Sequence, residues 1–398
     1  MSREQIDIFI SGAGIAGLTA GIALARGGFS VLIADPTKPP QDSTAPDADL
    51  RSTAFLQPAR SLLEDAGLWP QLAGAATPLE ALRVINLKDA PPRIATERTF
   101  QASDLKETAF GWNLPNWLTR RVLTEAATET PGLTLKSGTG FAKLLSRERE
   151  ALIGLTDGTR LSARLALAAD GRASPLREAA EIPVDTKRYG QKAIACAVRH
   201  AVPHHNVSTE LYDAGGAFVL VPLPDQDGTP ASAVVWMQDG PEAQRLAALE
   251  GDAFGAAATE RSAAVLGALT PITARHIWPV VTQTAHRLTS ERVALLAEAA
   301  HVMPPIGAQG LNTSLHDVRA ILEAARATPD GIGSPSFLER YAKARARDVA
   351  ARAQVIDLYN RLCRSDAVPA QFARSLGLKV VHDVAPLRRS VMRAGMGG

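Results

Sequence analysis

The chain has 398 residues, 46% of them apolar and 21% charged, with a formal net charge of +2. At about 150 residues per domain this is two or three domains, or one large discontinuous one, with the balance of an ordinary folded protein. The near-neutral charge argues against a nucleic-acid protein built on bulk positive charge. The two cysteines, Cys196 and Cys363, are far apart and form no CxxC, which argues against a thiolate metal site or a disulfide framework and fits a reducing compartment. No signal-peptide pattern and no long uncharged apolar stretch is visible, so a cytoplasmic protein is expected.

The first unit reads as strand, glycine turn, helix, strand. Ile6, Ile8, Phe9 and Ile10 form a short β-type run. Gly12-Ala13-Gly14-Ile15-Ala16-Gly17 follows, then an Ala/Leu-rich helix that Gly27-Gly28 stops, then a strand ending at Asp35. Residues 36–50 hold four prolines and read as a loop. Helix is predicted over 51–68, a strand over 83–88, and a further helix from Arg120 to Thr128. Residues 151–156 and 161–169 read as a hairpin around Asp157-Gly158, a pair favoured in type I′ turns.

From 193 to 237 the apolar runs are short and broken by turn residues, which predicts a mostly antiparallel sheet. Helix returns over 241–268, and 293–296 is one more buried strand. The tail is helical from Ser336, where Ser336 and Glu339 make a capping-box pattern. Phe337, Tyr341 and Ala344 share a helical face, as do Val355, Tyr359 and Leu362. From Gly331 onward there are 12 basic and 5 acidic residues, so a nearly neutral protein carries a basic tail.

The glycine turn is specific because of its context. Gly12 permits a tight turn, Gly14 lets a pyrophosphate approach the backbone with Ala16 beside it, and Gly17 lets helix and strand pack closely. Asp35, 18 positions after Gly17, stands where an acid grips a ribose 2′-hydroxyl, which favours the adenosine of FAD or NAD over that of NADP. Two further motifs each follow a strand: Asp170-Gly171-Arg172-Ala173-Ser174-Pro175-Leu176-Arg177, and Ala297-Glu298 leading through Pro304-Pro305-Ile306-Gly307 to Gly310-Leu311-Asn312.

Together the three motifs resemble the fingerprints of the single-component flavoprotein aromatic hydroxylases with the fold of p-hydroxybenzoate hydroxylase. The segments Arg51-Ser52-Thr53-Ala54-Phe55, Gly215-Gly216-Ala217-Phe218 and Arg393-Ala394-Gly395-Met396-Gly397 extend the resemblance to the ubiquinone-biosynthesis hydroxylases, the UbiH/UbiF group. The resemblance implies an α/β fold: a Rossmann-like FAD-binding domain, a mostly antiparallel-sheet substrate domain and a C-terminal helical region. The expected divisions are 1–75, 104–182 and 284–330 for the first, 76–103 and 183–283 for the second, and 331–398 for the third.

It implies FAD as cofactor, NADPH or NADH as a transient electron donor, and oxygen as co-substrate. The substrate it implies is an apolar aromatic, a prenylated phenol of the ubiquinone pathway. A soluble aromatic substrate, or a non-catalytic FAD-bearing scaffold, is the alternative. The cofactor residues it implies are Gly12, Gly14, Ala16, Gly17, Asp35, Arg51, Arg120, Asp170, Gly171, Glu298, Pro305, Gly307, Gly310, Leu311 and Asn312. Arg121 competes with Arg120 for its position, and Arg177 shares the role of Asp170 near the donor's path. The amides of Leu311 and Asn312 would face the pyrimidine end of the flavin, where a helix N-terminus stabilises negative charge.

Two departures stand out. The chain has Ala297-Glu298 where Gly-Asp is usual, and Gly215-Gly216 where Gly-Pro is usual. His301 reads as a hydrogen-bonded structural residue rather than a base. Tyr189 or Gln191 could line the substrate pocket. His204-His205 lack further ligands at a useful spacing, so no metal is expected. No catalytic residue is assigned. The basic C-terminal region offers peripheral contact with the inner face of a membrane or with a biosynthetic complex, against a solvated helix as the plain alternative.

Overall fold

A computed structural model describes residues 4–43, 45, 48–213, 216–364 and 378–396. Gly215, Gly397 and the side chains of Tyr359, Leu362 and Cys363 lie outside the described residues. Three sheets organise the chain.

The first sheet has eight strands, in the order Thr289–Ser290, Val293–Leu295, Arg160–Ala168, Glu4–Ser11, Val31–Asp35, Leu133–Ser137, with a β-meander of Phe141–Ser146 and Ala151–Leu155 at its side. Glu4–Ser11 is parallel to both neighbours, with Ile8 beside Val31 and Leu165. A parallel sheet buried on both faces needs continuous apolar strands, and Ile8, Phe9 and Ile10 are all fully buried. The helices Ile15–Arg26 and Gln309–Ala327 pack on it, and Leu18, Ile22, Val318 and Ile321 join the same core.

The second sheet has nine strands, and its path runs His301–Val302, His276–Ala285, Val184–His200, Thr229–Asp239, Gly216–Gln226, Val207–Asp213, Ala81–Lys88, Arg93–Gln101. All these pairings are antiparallel except that of Val207–Asp213 with Ala81–Lys88. Side chains alternate across a strand. One face, with Ile85, Ile194, Leu211, Phe218 and Trp236, is covered by the helices Gly240–Ala247 and Gly251–Arg261. The other, with Val84, Tyr189, Ala193, Tyr212, Ala217 and Met237, meets Ile306 from the first unit and Met392 from the tail. A third, small sheet of three strands (Ser52–Leu56, Gly111–Pro115, Thr77–Leu79) connects the two, and Asn113 Nδ2 donates to Pro222 O at 2.8 Å.

Several expectations are corrected. Residues 51–68 are not one helix: Ser52–Leu56 is a strand paired with Gly111–Pro115, and the helix is Gln57–Asp65. The strand is held by contacts distant in sequence, since Asn312 accepts from Leu56 N at 2.9 Å and donates to Ala54 O at 2.7 Å. The helix predicted from Arg120 begins earlier, as Asn116–Glu129. The hairpin turn at Asp157-Gly158 is not type I′, because only Gly158 has a positive φ, of 85°. Asp157 instead turns its carboxylate onto Thr159 N at 2.9 Å.

The tail helix runs Pro335–Arg364. Its cap is Ser334, which accepts from Phe337 N at 3.3 Å, with Pro335 at the first helical position; Ser336 lies inside the helix. Phe337 and Tyr341 are fully buried as expected, but the inward face continues through Arg345 and Val349 rather than Ala344. Val355 is 66% exposed, and Ile356 points inward in its place.

Candidate functional site

The helix Ile15–Arg26 starts at Gly14 with no side-chain cap and no acid in its first turn. Its leading amides are therefore available to an anion, and the helix dipole favours one there. The three glycines of the turn have different reasons. A Cβ on Gly12, whose φ is 106°, would fall against Ala169 O, and one on Gly17 would fall against Gly12 O. A Cβ on Gly14 would meet nothing within 4 Å. Gly12 and Gly17 thus serve the fold, while the space over Gly14 is open. Ala16 is buried in the core behind the turn.

Asp35 ends the second strand and closes the turn. Its Oδ2 accepts from Ala13 N at 2.7 Å, and its Oδ1 accepts from Thr37 N at 2.8 Å and from Thr37 Oγ1 at 2.6 Å. Arg120 Nε donates to Ala13 O at 3.0 Å and its Nη2 lies 3.6 Å from Asp35 Oδ1. Arg121 points elsewhere, with Nε 3.7 Å from Glu125 and its guanidinium over Trp117. Of the two arginines, Arg120 is the one at the glycine turn.

The Asp170 motif sits beside it. Asp170 Oδ2 accepts from Ser11 Oγ at 2.8 Å, whereas its Oδ1 is buried without a hydrogen-bond partner among the described residues. Burial pushes the Asp170 carboxyl above its ordinary range against the hydrogen bonds of Ser174 and Ser11. Gly171 has φ 83° and open space beyond its Cα. Arg177 is buried and holds two loops together, with Nη1 donating to Arg172 O at 3.0 Å and to Ala299 O at 3.1 Å.

The third motif forms the opposite wall. Ala297 has φ 54°, a left-handed backbone that glycine adopts at lower cost, and its N donates to Asp317 Oδ2 at 2.9 Å. Glu298 is exposed, and its charge acts on Arg51. Arg51 is paired with Asp49 through Nε and Nη2, both at 2.7 Å, and stacks 4.9 Å from the Trp278 ring centroid. Burial weighs most on Arg51 and lowers its pKa; Asp49 and Glu298 outweigh it and raise the net value. Pro305 and Gly307, with φ 60°, lead into the uncapped N-terminus of Gln309–Ala327, and Gly310 has open space beside it. Leu311 packs at the edge of the first core. The side chain of Asn312 is buried and clamps the strand Ser52–Leu56, so only its backbone can face the open space.

Two uncapped helix ends, three open glycine positions and one buried carboxylate oxygen without a partner among the described residues thus lie on the loops that follow the strands Glu4–Ser11, Arg160–Ala168 and His301–Val302. That donor set fits a flavin dinucleotide: amides for phosphates, carboxylates for sugar hydroxyls, and backbone without side chains where a flat ring must approach. The sequence did not single out Asp49, which orients Arg51, or Asp317, which holds Ala297. Asp49 has no motif to mark it; Asp317 could have been found only as a lone acid on the buried face of a helix.

A family described as "FAD binding domain" matches residues 5–355. The chain belongs to this family. It is an FAD-dependent aromatic hydroxylase. It is 31% identical over 394 residues to "Ubiquinone hydroxylase UbiL" of Rhodospirillum rubrum, covering 98% of this chain and 89% of that one. It is 24% identical over 401 residues to "3-demethoxyubiquinol 3-hydroxylase" of Escherichia coli, with full coverage of both. Among solved structures, p-nitrophenol 4-monooxygenase PnpA of Pseudomonas putida has the same fold, with a TM-score of 0.80 at 18% identity over 99% of each chain.

Proposed function

We propose that this enzyme hydroxylates a prenylated phenol intermediate of ubiquinone biosynthesis, using oxygen and NADPH or NADH. The observation that carries the reading is the 31% identity, spread over 98% of the chain, to a relative described as a ubiquinone hydroxylase. The apolar face of the second sheet, with Val84, Phe100, Ala217 and Met237, supports an apolar ring substrate.

In this reading Asp35 receives the adenosine ribose of FAD, the amides after Gly14 receive its phosphates, and Arg120 sits beside them. Glu298 receives ribityl hydroxyls, with Arg51 fixed next to it. Asp170 and Gly171 border both the cofactor and the donor's path, and Pro305, Gly307, Gly310 and the amides of Leu311 and Asn312 face the ring. When bound, FAD supplies the electron transfer and oxygen activation. The chain's residues orient it, stabilise negative charge at the helix end and keep water out.

The C-terminal region meets the membrane in this reading, because the substrate is apolar. Val380, Val384, Leu387 and Val391 recur at helical spacing and are 38–47% exposed, with Lys379, Arg389 and Arg393 exposed on the same segment. Among the described residues no helix is long and apolar enough to cross a membrane. In this reading the contact is peripheral, at the inner face of the membrane.

The visible spectrum of the purified protein under anaerobic conditions, before and after NADPH, with an ortho-prenylphenol present, tests the reading. A flavin spectrum that bleaches, followed on aeration by a product one oxygen atom heavier, is expected. Oxygenation of soluble phenols alone would move the substrate to a different pathway. Flavin without turnover on any phenol, with NADH as with NADPH, would make the protein a scaffold.

A further inference from the structure

The open face of the second sheet carries an acid, Glu210, between apolar neighbours. Strand register places the residues in a row: Ala195 opposite Val235, Val235 opposite Val219, Val219 opposite Glu210, Glu210 opposite Val84, and Val84 opposite Arg98, whose guanidinium lies 3.8 Å from Asp383 of the tail. The next row on the same face runs Trp278, Ala193, Met237, Ala217, Tyr212. Glu210 and Tyr212 are two apart on one strand and so project to the same side. Tyr212 Oη donates to Glu210 Oε2 at 2.5 Å.

These strands are in the middle of the sheet, and helices cover the opposite face. Yet Val219, Val235 and Trp278 are only partly buried. Glu210 is likewise only partly buried. The middle of this face therefore keeps accessible surface. Ile306 of the cofactor loop and Leu378, Val381 and Met392 of the tail meet this face from above. The tail is pinned there by Arg388 on Asp104 at 3.2 Å and by Gln309 Nε2 on Gly395 O at 2.9 Å.

A carboxylate flanked by Val84 and Val219 is a poor choice for packing, and a good one for a task. Among the described residues the influences on it are burial, which raises its pKa and makes it a stronger base, and the Tyr212 hydroxyl. We propose that Glu210 takes the proton of the substrate's phenolic hydroxyl, with Tyr212 holding the carboxylate in position. The O–H bond breaks, its electron pair stays on the substrate oxygen and spreads to the ring carbons ortho and para to it, and the proton ends on Glu210. The ring is then richer in electrons where an electrophilic oxygen must attack. The inference rests on the phenol reading above and adds the residue that activates the phenol.

The test uses the full-length, flavin-loaded enzyme and its Glu210→Gln and Tyr212→Phe variants with an ortho-prenylphenol. Two readouts are taken: hydroxylated product per NADPH consumed, and the anaerobic difference spectrum of the bound phenol. Wild type is expected to show a phenolate band and coupled product. Glu210→Gln is expected to keep its flavin, lose the band, lose product about a hundredfold or more, and divert consumed donor to hydrogen peroxide. Tyr212→Phe is expected to retain the band in part and fall about tenfold. Product per NADPH in Glu210→Gln within twofold of wild type would overturn the assignment. So would a loss in both variants that tracks lost flavin or lowered thermal stability, since that marks a structural pair. If wild type binds the phenol without oxygenating it, the functional reading fails while the phenolate band still decides the role of Glu210. If wild type binds no phenol, both fall.

Discussion

The His301 imidazole and the Asp317 carboxylate meet at 2.7 Å, each side chain 1% exposed. Asp317 also accepts from Arg345 Nε at 2.7 Å and from Ala297 N at 2.9 Å. One buried acid therefore ties together the last strand of the second sheet, the helix behind the cofactor loop, the first residue of that loop's motif and the tail helix. Tyr341, on the same tail helix, adds a hydrogen bond to Leu295 O at 2.6 Å.

Burial, the largest influence, works against ionisation of Asp317, but His301 and Arg345 outweigh it and hold the carboxyl below its ordinary value of 3.8. A carboxyl depressed in the folded state contributes stability that is fully present above its unfolded pKa and lost as pH falls through the folded one. The stability that Asp317 supplies, read as the difference between thermal melts of wild type and Asp317→Asn, should thus be constant across neutral pH and shrink below about pH 4. Asp317→Ala leaves Arg345 with Asp348 alone and takes the acceptor from His301 Nε2 and Ala297 N, so it should cost about 3–5 kcal/mol, read in urea unfolding. A loss under about 1 kcal/mol would mean that the cluster is not what joins the tail to the cofactor loop.

The glycine turn separates folding from binding. Gly12→Ala and Gly17→Ala put a methyl group against backbone oxygens, Gly12 at a φ of 106° as well. Each should destabilise the protein by about 1–3 kcal/mol with or without flavin. Gly14→Ala meets only open space in the chain itself. It should leave apoprotein melting unchanged and weaken FAD at least about tenfold, because the methyl group occupies the approach of the phosphates. Melting curves paired with fluorescence titration of FAD decide it. A Gly14→Ala protein with full affinity would remove the phosphates from this turn.

How much of this was legible in the sequence depends on the range of the interactions. The turn at Gly12–Gly17 and the acid Asp35 lie within one βαβ unit, and local pattern sufficed to read them. The strand Ser52–Leu56 did not stand out, because it exists through pairing with Gly111–Pro115 and through Asn312, more than 250 positions away. Its short apolar run joins directly onto the helix Gln57–Asp65, so periodicity ran the two together. Val355 falls on an inward face by spacing, but the helix turns Ile356 and Asn360 to its partner surface instead. Glu210 and Tyr212 escaped notice for a related reason: an acid at an alternating strand position looks solvated until the neighbouring strands show which face it takes.

Ala297 carries a cost that can be measured. Its φ of 54° is disfavoured by the side chain, and the bond from its N to Asp317 keeps it there. Ala297→Gly should therefore stabilise the protein by about 1 kcal/mol, since the left-handed conformation costs an L-residue roughly 1–2 kcal/mol and glycine's greater freedom when unfolded returns part of that. Urea unfolding of the two proteins gives the difference. A destabilised variant would show that the Ala297 methyl group makes compensating contacts.

Glu298 and Arg51 provide the sharpest separation between the cofactor reading and a merely structural one. Glu298 is exposed, so Glu298→Ala removes little packing and should leave apoprotein stability within about 0.5 kcal/mol. If its carboxylate accepts ribityl hydroxyls, the same change should weaken FAD by about tenfold, in line with charge-assisted hydrogen bonds of about 1.5–3 kcal/mol. Arg51→Lys keeps the charge but cannot reproduce the two-point contact with Asp49 or the stacking on Trp278. It should lower FAD affinity less than Glu298→Ala does, and the double variant should fall short of the sum, because the two side chains act on one another. Flavin content after purification and fluorescence titration of the apoproteins measure both. Full flavin retention in Glu298→Ala would place the ribityl chain elsewhere and leave Arg51 as a structural partner of Asp49.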